Sequence, residues 1–113
     1  MSQPEGFDIQ LLDEENPLSF PDPRESEPDG FLAVSQALGT DRLIHAYRNG
    51  IFPWMKMEFA PFLWCWFSPD PRMLLFPAEF KISRSLKKAI RETRFEIKVD
   101  HDFRATIESC ASI

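Results

Sequence analysis

The chain has 113 residues, of which 43% are hydrophobic and 27% are charged, an ordinary composition for one globular domain or for one domain with part of another. No apolar run approaches the roughly 20 residues of a membrane helix, and the N-terminal sequence MSQPEGFDIQ lacks the basic and apolar regions of a secretory signal. We therefore expect neither membrane insertion nor secretion, and we predict a cytoplasmic protein.

The net charge of −5 hides a strong segregation of charge along the chain. Residues 1–30 hold nine acidic residues and one arginine, whereas residues 81–98 hold seven basic and two acidic residues. The basic block is the one segment where we expect a polyanion to dock. The acidic residues and prolines at the start of the chain predict a loosely ordered arm over residues 1–19.

The first predicted elements surround an aromatic segment. A short apolar run, residues 31–34, precedes a predicted helix. Thr40 can cap this helix, Asp41 lies in its first turn, Arg48 lies in its last turn, and Gly50 ends it. Its predicted apolar face consists of Leu43, Ile44 and Tyr47. The sequence GIFPW, residues 50–54, begins where that helix ends and opens an aromatic loop that runs to residue 67. Within it Trp64 and Trp66 alternate as in a strand.

The second half of the chain predicts a further helix between short strands. Residues 73–76, MLLF, read as a strand that Pro77 closes. Ser83 or Ser85 begins a helix that ends near Thr93. On a helical wheel its two sides differ in chemistry, with Ile82, Leu86, Ala89 and Ile90 on one and Arg84, Lys87, Lys88 and Arg91 on the other. The alternating sequence FEIKV, residues 95–99, predicts a half-buried strand, and residues 102–110 predict a weak last helix.

The cysteines and histidines give no metal-binding pattern. Cys65 and Cys110 are not in a CxxC pair, and with His45 and His101 they lack the spacing of zinc ligands. We interpret both cysteines as reduced, buried thiols, and His45 as a structural residue of the first helix. The spacing of Cys110 and His101 gives no support to a nucleophile.

Three stretches and a terminal motif together carry a resemblance to a known family. They are EPDGFLAVSQALGTDRLIHAYRNGIFPW, WFSPDPRMLLFP and KISRSLKKAI, followed by ESCAS. In this order and spacing they resemble the N-terminal part of bacterial leucyl/phenylalanyl-tRNA–protein transferases. The resemblance implies an α+β fold, with a small N-terminal α/β domain that contains the aromatic loop, residues 20–78, and the beginning of an acetyltransferase-like (GNAT) domain, residues 79–113.

The same resemblance implies an aminoacyltransferase of the N-degron protein degradation pathway. Such an enzyme moves Leu or Phe from aminoacyl-tRNA to the N-terminal Arg or Lys of a protein, and we expect a monomer that needs no metal and no cofactor. The family usually has Gly-Gly-Asp where this chain has residues 35–37, SQA, so that turn must be built differently. The family also continues after CAS into a GTW motif and the catalytic groups, which this chain does not contain.

We therefore expect a chain that is cut and that lacks transfer activity by itself. Its residues 95–113 would then expose apolar surface and an unpaired strand edge. Two other functions stay open: an RNA-binding module without transfer activity, and an interaction domain whose aromatic loop packs on a partner.

The resemblance also assigns roles to individual residues, none of them catalytic. Trp54 would stack on the terminal adenosine of the tRNA, with Pro53 restricting its loop; from composition alone Trp54 is instead a core or loop-anchor aromatic. The basic helix side, which consists of Arg84, Lys87, Lys88 and Arg91, would meet acceptor-stem phosphates, and its alternative is a solvated face. Trp64 and Trp66 are interpreted as interface packing. Residues 68–72, SPDPR, are read as an interdomain turn, or else as placing Asp70 or Arg72 near the substrate.

Overall fold

The computed structural model describes residues 9–93 and 95–113, and residues 1–8 of the predicted arm lie outside the described residues. The chain divides into two units, Met1–Met73 and Leu74–Ile113. The boundary that the sequence predicts, after residue 78, lies in the second of these units. No helix among the described residues is both long and apolar enough to span a membrane.

A three-stranded antiparallel sheet organises the first unit. Its strands are β1 (Phe31–Ser35), β2 (Phe52–Lys56) and β3 (Trp64–Phe67), in the spatial order β1-β3-β2. The strand predicted from the alternation of tryptophans is confirmed as β3. The prediction of a continuous aromatic loop is wrong, because its first part is the edge strand β2. Pro53 is tolerated there because an edge strand needs fewer backbone donors than a central one.

The core of this unit lies on both faces of the sheet. One cluster contains Leu12, Leu32, Ala33, Ala46, Ile51 and Trp66, and the other contains Val34, Met57, Cys65 and Phe67. Trp66 is fully buried, and its indole N–H donates to the Ser35 hydroxyl at 2.8 Å. The interpretation of Trp66 as interface packing is therefore wrong, since this side chain is the largest one in the unit's own core.

Helix α1 (Thr40–Arg48) follows β1 and covers one face of the sheet. Its extent agrees with the prediction, although Thr40 begins the helix and Gly39 occupies the cap position. Its buried face differs from the predicted one, because Arg42 and Ala46 are buried whereas Ile44 and Tyr47 are exposed. An arginine can take a buried position here because nearby oxygens accept its hydrogen bonds.

Residues 10–12 pair with β1, within the segment for which the sequence predicted a loosely ordered arm. The Leu12 amide donates to the Val34 carbonyl at 2.8 Å, and the Val34 amide donates to the Gln10 carbonyl at 2.9 Å. Leu12 is only 4% exposed. The segment is ordered despite its acidic composition, because its backbone groups form hydrogen bonds with β1 and the Leu12 side chain enters the core.

The second unit contains helices α2 (Arg84–Arg91) and α3 (Phe103–Ala111), which confirms both predicted helices. Neither of the two predicted strands forms. Residues 73–76, which begin at the last residue of the first unit, and residues 95–99 belong to no strand, and the described residues from Leu74 onward contain none with which they could pair. The apolar exposure expected near the end of the chain is confirmed, with Phe95, Ile97 and Val99 between 83% and 92% exposed. An acetyltransferase-like fold stays a prediction.

Candidate functional site

The turn between α1 and β2 fixes where the aromatic segment begins. Gly50 has a φ of 72°, and its amide donates to the Tyr47 carbonyl at 3.2 Å. The next amide, that of Ile51, donates to the Ala46 carbonyl at 2.9 Å. This pair of bonds is the Schellman arrangement, in which glycine supplies the left-handed conformation that ends a helix. The chain therefore leaves α1 in a defined direction and enters β2 almost at once.

Trp54 occupies an irregular position in the middle of β2. Pro53 lies opposite Trp66 and Met55 lies opposite Cys65, so Trp54 is an extra residue on this strand. An extra residue of this kind is a β-bulge, which bends the strand and redirects a side chain. Sequence reasoning missed the bulge, because the strand itself was read as a loop.

The indole ring of Trp54 is held by two other aromatic rings and still faces solvent. Its centroid lies 5.3 Å from that of Phe67 in an edge-to-face arrangement, with an interplanar angle of 79°. The Phe52 ring lies 5.7 Å away at an angle of 51°. Phe67 is buried, whereas Trp54 is 59% exposed. The structure thus presents a large planar surface whose position is restricted by packing, an arrangement that can stack on a ligand's ring.

The SPDPR segment contacts the start of this aromatic strand. The Ser68 hydroxyl donates to the Gly50 carbonyl at 3.1 Å, and the Arg72 guanidinium donates to the same carbonyl through Nη2. Arg72 Nε also donates to the Pro69 carbonyl at 3.1 Å. These contacts all lie within the first unit, and they hold Ser68 and Arg72 against the turn that leads into the strand of Trp54.

Helix α2 displays the basic residues of the second unit. The Ser83 hydroxyl caps the helix by accepting a hydrogen bond from the Leu86 amide at 3.1 Å. Of the two predicted starts, Ser83 and Ser85, the structure therefore selects Ser83. The four residues Arg84, Lys87, Lys88 and Arg91 are all exposed. Lys88 pairs with Glu92 at 3.7 Å, an exposed contact of small energy. Within the described residues, no ion pair involves any of the three other cations.

Comparisons with known proteins divide the chain close to the boundary between its two units. Residues 36–70 match the leucyl/phenylalanyl-tRNA protein transferase N-terminal domain, and residues 74–113 match the leucyl/phenylalanyl-tRNA protein transferase family. The chain belongs to the leucyl/phenylalanyl-tRNA–protein transferase family.

Relatives with that name occur in several bacteria. The transferase of Dechloromonas aromatica is 52% identical over 83 residues, that of Azotobacter vinelandii 49% over 96, and that of Laribacter hongkongensis 45% over 104. These matches cover 74%, 83% and 92% of this chain but only 34%, 41% and 43% of the relatives. The chain therefore spans less than half the length of these curated relatives.

The turn at residues 35–37, after β1, is built from side-chain hydrogen bonds. The Ser35 hydroxyl accepts from Trp66 and donates to the Ala37 carbonyl at 2.8 Å. The Gln36 amide donates to Glu14 Oε1 at 2.7 Å. A serine, a glutamate and a buried tryptophan thus satisfy the polar groups of a turn for which the sequence alone offered no partner.

The two groups of candidate residues of this transferase-family chain belong to different units. Trp54 lies in the first unit, where Ser68 and Arg72 contact the turn before its strand, and the four cations of α2 lie in the second. Asp70 is exposed, as is Arg72. The described residues contain no group of three or more His, Cys, Asp and Glu that could hold a metal ion.

The two cysteines of this transferase-family chain differ in burial, so the prediction that both are buried is wrong for one of them. Both are free thiols, with Cys65 buried in β3 and Cys110 exposed on α3. Burial raises the pKa of the Cys65 thiol, because a thiolate loses solvation in the core.

Proposed function

We propose that this chain supplies contacts to aminoacyl-tRNA in a cytoplasmic aminoacyltransferase. The enzyme transfers Leu or Phe from the tRNA to the N-terminal Arg or Lys of proteins and thereby marks them for degradation in the N-degron pathway. The observation that supports the tRNA contact is Trp54, an indole that is 59% exposed on a bulged edge strand. Family membership supports the transfer reaction.

The reaction needs positioning more than activation. The aminoacyl ester of tRNA is already reactive, so the amine of the protein attacks its carbonyl carbon without a covalent enzyme intermediate. The new amide C–N bond forms while the ester C–O bond breaks, the amine loses a proton, and the 3′ oxygen of the tRNA leaves as a hydroxyl. A protein that fixes the terminal adenosine also fixes the ester attached to it, which raises the frequency of productive encounters.

Trp54 suits the terminal adenosine because stacking uses the face of a base and requires no particular sequence. Each base stacked on an aromatic side chain stabilises a complex by ~1–3 kcal/mol. The contacts of Trp54 with Phe52 and Phe67 restrict the indole before the ligand arrives. Less side-chain entropy is therefore lost on binding.

The basic side of α2 suits the phosphates of the acceptor stem. Its four cations are exposed and lie within about a quarter of the helix circumference. Contacts of this kind position the nucleic acid and do not read its sequence. They therefore fit an enzyme that distinguishes the attached amino acid more than the body of the tRNA.

The decisive experiment measures binding of a short single-stranded oligoribonucleotide that ends in CCA. Trp54→Ala should lower its affinity about 5-fold to 150-fold, which corresponds to ~1–3 kcal/mol of lost stacking. The matched control is Phe59→Ala, which removes an aromatic ring that is 81% exposed between β2 and β3 and has no ring contact with Trp54. Equal affinity of the Trp54→Ala variant and the native chain would remove Trp54 from the site.

A second experiment tests the basic helix with an acceptor-stem hairpin that carries the CCA end. Replacing Lys88 and Arg91 by Glu should weaken binding and lower the slope of log affinity against log salt by about one for each lost phosphate contact. The control replaces Lys98 and Arg104, which lie outside α2, by Glu and changes the net charge equally. If both double variants lose the same affinity, the basic side of α2 is not a specific contact surface.

A second candidate function is an RNA-binding or interaction module without transfer activity. The exposure of Phe95, Ile97 and Val99 favours it, because large exposed apolar side chains commonly mark contact surfaces. The two candidates are separated by the transfer of labelled Leu to an Arg-starting peptide when this chain is joined to the C-terminal remainder of a full-length relative. Transfer by the joined protein supports the first candidate, and no transfer supports the second. We expect this chain alone to bind the oligoribonucleotide without transfer, and transfer at the level of a full-length relative would contradict that expectation.

A further inference from the structure

The tetrapeptide PDPR occurs twice in the first unit and makes different contacts at each place. At residues 21–24, Arg24 turns back on its own motif, and its Nη2 and Nε lie 2.6 Å and 3.0 Å from Asp22 carboxylate oxygens. This pairing lowers the pKa of Asp22 to about 2. At residues 69–72, the guanidinium of Arg72 instead donates to the carbonyls of Gly50 and Pro69. The first copy of the motif thus forms a local ion pair, whereas the second copy forms a long-range hydrogen bond to Gly50.

The long-range tie reaches the strand that carries Trp54. The Gly50 carbonyl, which Arg72 and Ser68 both hold, lies two residues before β2 begins. The Arg72 guanidinium carbon also lies 5.3 Å from the centre of the Phe52 ring, and that ring lies 5.7 Å from the ring of Trp54. One side chain therefore contacts both the backbone that leads into β2 and an aromatic ring that braces the indole.

We propose that Arg72 is a positioning residue for Trp54. A bulged edge strand has neighbours on one side only, so a tie at its start limits its movement more than the same tie would in a central strand. The planar guanidinium can donate to two carbonyls and lie against Phe52 together, which the single ammonium of lysine cannot reproduce. The consequence for RNA binding rests on the proposed function, whereas the positioning of the indole does not.

The first test observes Trp54 without any RNA. Protein labelled with 5-fluorotryptophan gives three fluorine resonances, one for each tryptophan, and Trp54→Phe assigns the one of interest. Arg72→Gln and Arg72→Lys should both shift or broaden the Trp54 resonance and leave that of buried Trp66 in place. Arg24→Gln, the same change in the other PDPR motif, should leave both resonances unchanged.

The second test measures affinity for the single-stranded CCA oligoribonucleotide. Both Arg72 variants should bind about threefold to tenfold more weakly, as expected when the binding-competent orientation is populated about a third to a tenth as often. The slope of log affinity against log salt should not change, because a positioning residue does not touch phosphate. Native affinity in Arg72→Lys with a reduced salt slope in Arg72→Gln would assign Arg72 to a phosphate and overturn the proposal.

The two tests separate failure of this inference from failure of the proposed function. If Trp54→Ala binds RNA normally while the Arg72 variants still shift the Trp54 resonance, the proposed function fails and the positioning role stands. If Trp54→Ala loses affinity while the Arg72 variants leave the Trp54 resonance in place, Arg72 has no positioning role. Displacement of the Trp66 resonance together with that of Trp54 would indicate a general loss of structure and would also overturn the local assignment.

Discussion

Arg42 is the buried charge that joins helix α1 to residues 13–14, and its replacement by methionine is a sharp test of the fold. Arg42 is only 2% exposed. Its guanidinium donates to the Asp13 carbonyl at 2.6 Å, to the Ala37 carbonyl at 3.1 Å and to the Glu14 carboxylate at 3.1 Å. Methionine fills similar space and removes all three bonds.

The expected cost is the difference between two large effects. A hydrogen bond that involves a charged group stabilises by ~1.5–3 kcal/mol, and three such bonds are lost. Against this, removal of the guanidinium also removes the desolvation of a buried charge, which is several kcal/mol in magnitude. In addition, Arg42 Nε has no hydrogen-bond partner among the residues that the structure describes. The free energy of unfolding should fall by about 2–4 kcal/mol, a large part of the ~5–15 kcal/mol that stabilises a typical domain.

Urea unfolding followed by tryptophan fluorescence measures this change, because fully buried Trp66 reports on the same core. Glu14→Gln should cost only about 1 kcal/mol, since the Glu14 side chain is 35% exposed and solvent screens its charge. The control is Arg48→Met, a change at an exposed arginine on the same helix. A loss below about 0.5 kcal/mol in Arg42→Met, within the usual range for surface substitutions, would refute the reasoning.

Two further predictions concern the stability effect of a substitution at Gly30 and the relative reactivity of the two cysteines. Gly30→Ala should lower the free energy of unfolding by about 2–3 kcal/mol, because φ is +92° and an added Cβ would lie 2.8 Å from the Pro69 Cα; a urea midpoint equal to that of the native chain would contradict this. With a thiol reagent near pH 8, Cys110 should react quickly and Cys65 slowly until urea unfolds the chain, because burial raises the pKa of Cys65 and keeps it protonated. Equal rates for the two thiols in the folded chain would show that Cys65 is accessible.

Local patterns determined the helices and the central strand. Gly50 ends α1 because glycine takes the left-handed conformation without strain, and Ser83 begins α2 because its hydroxyl satisfies a free amide. The alternation of Trp64 and Trp66 predicted β3 because side chains of a strand alternate between faces. The basic side of α2 also follows from periodicity alone. Each of these features depends on residues only a few positions apart.

Tertiary structure decided which residues surround Trp54 and which strands form. The bulge at Trp54 exists only in relation to β3, and Arg72 reaches Gly50 from 22 positions away along the chain. The same PDPR sequence acts locally at Arg24 and at long range at Arg72, so its role cannot be read from the four residues. Residues 95–99 alternate as a strand should but form none, because a strand requires a partner for its backbone hydrogen bonds and the described part of that unit offers none.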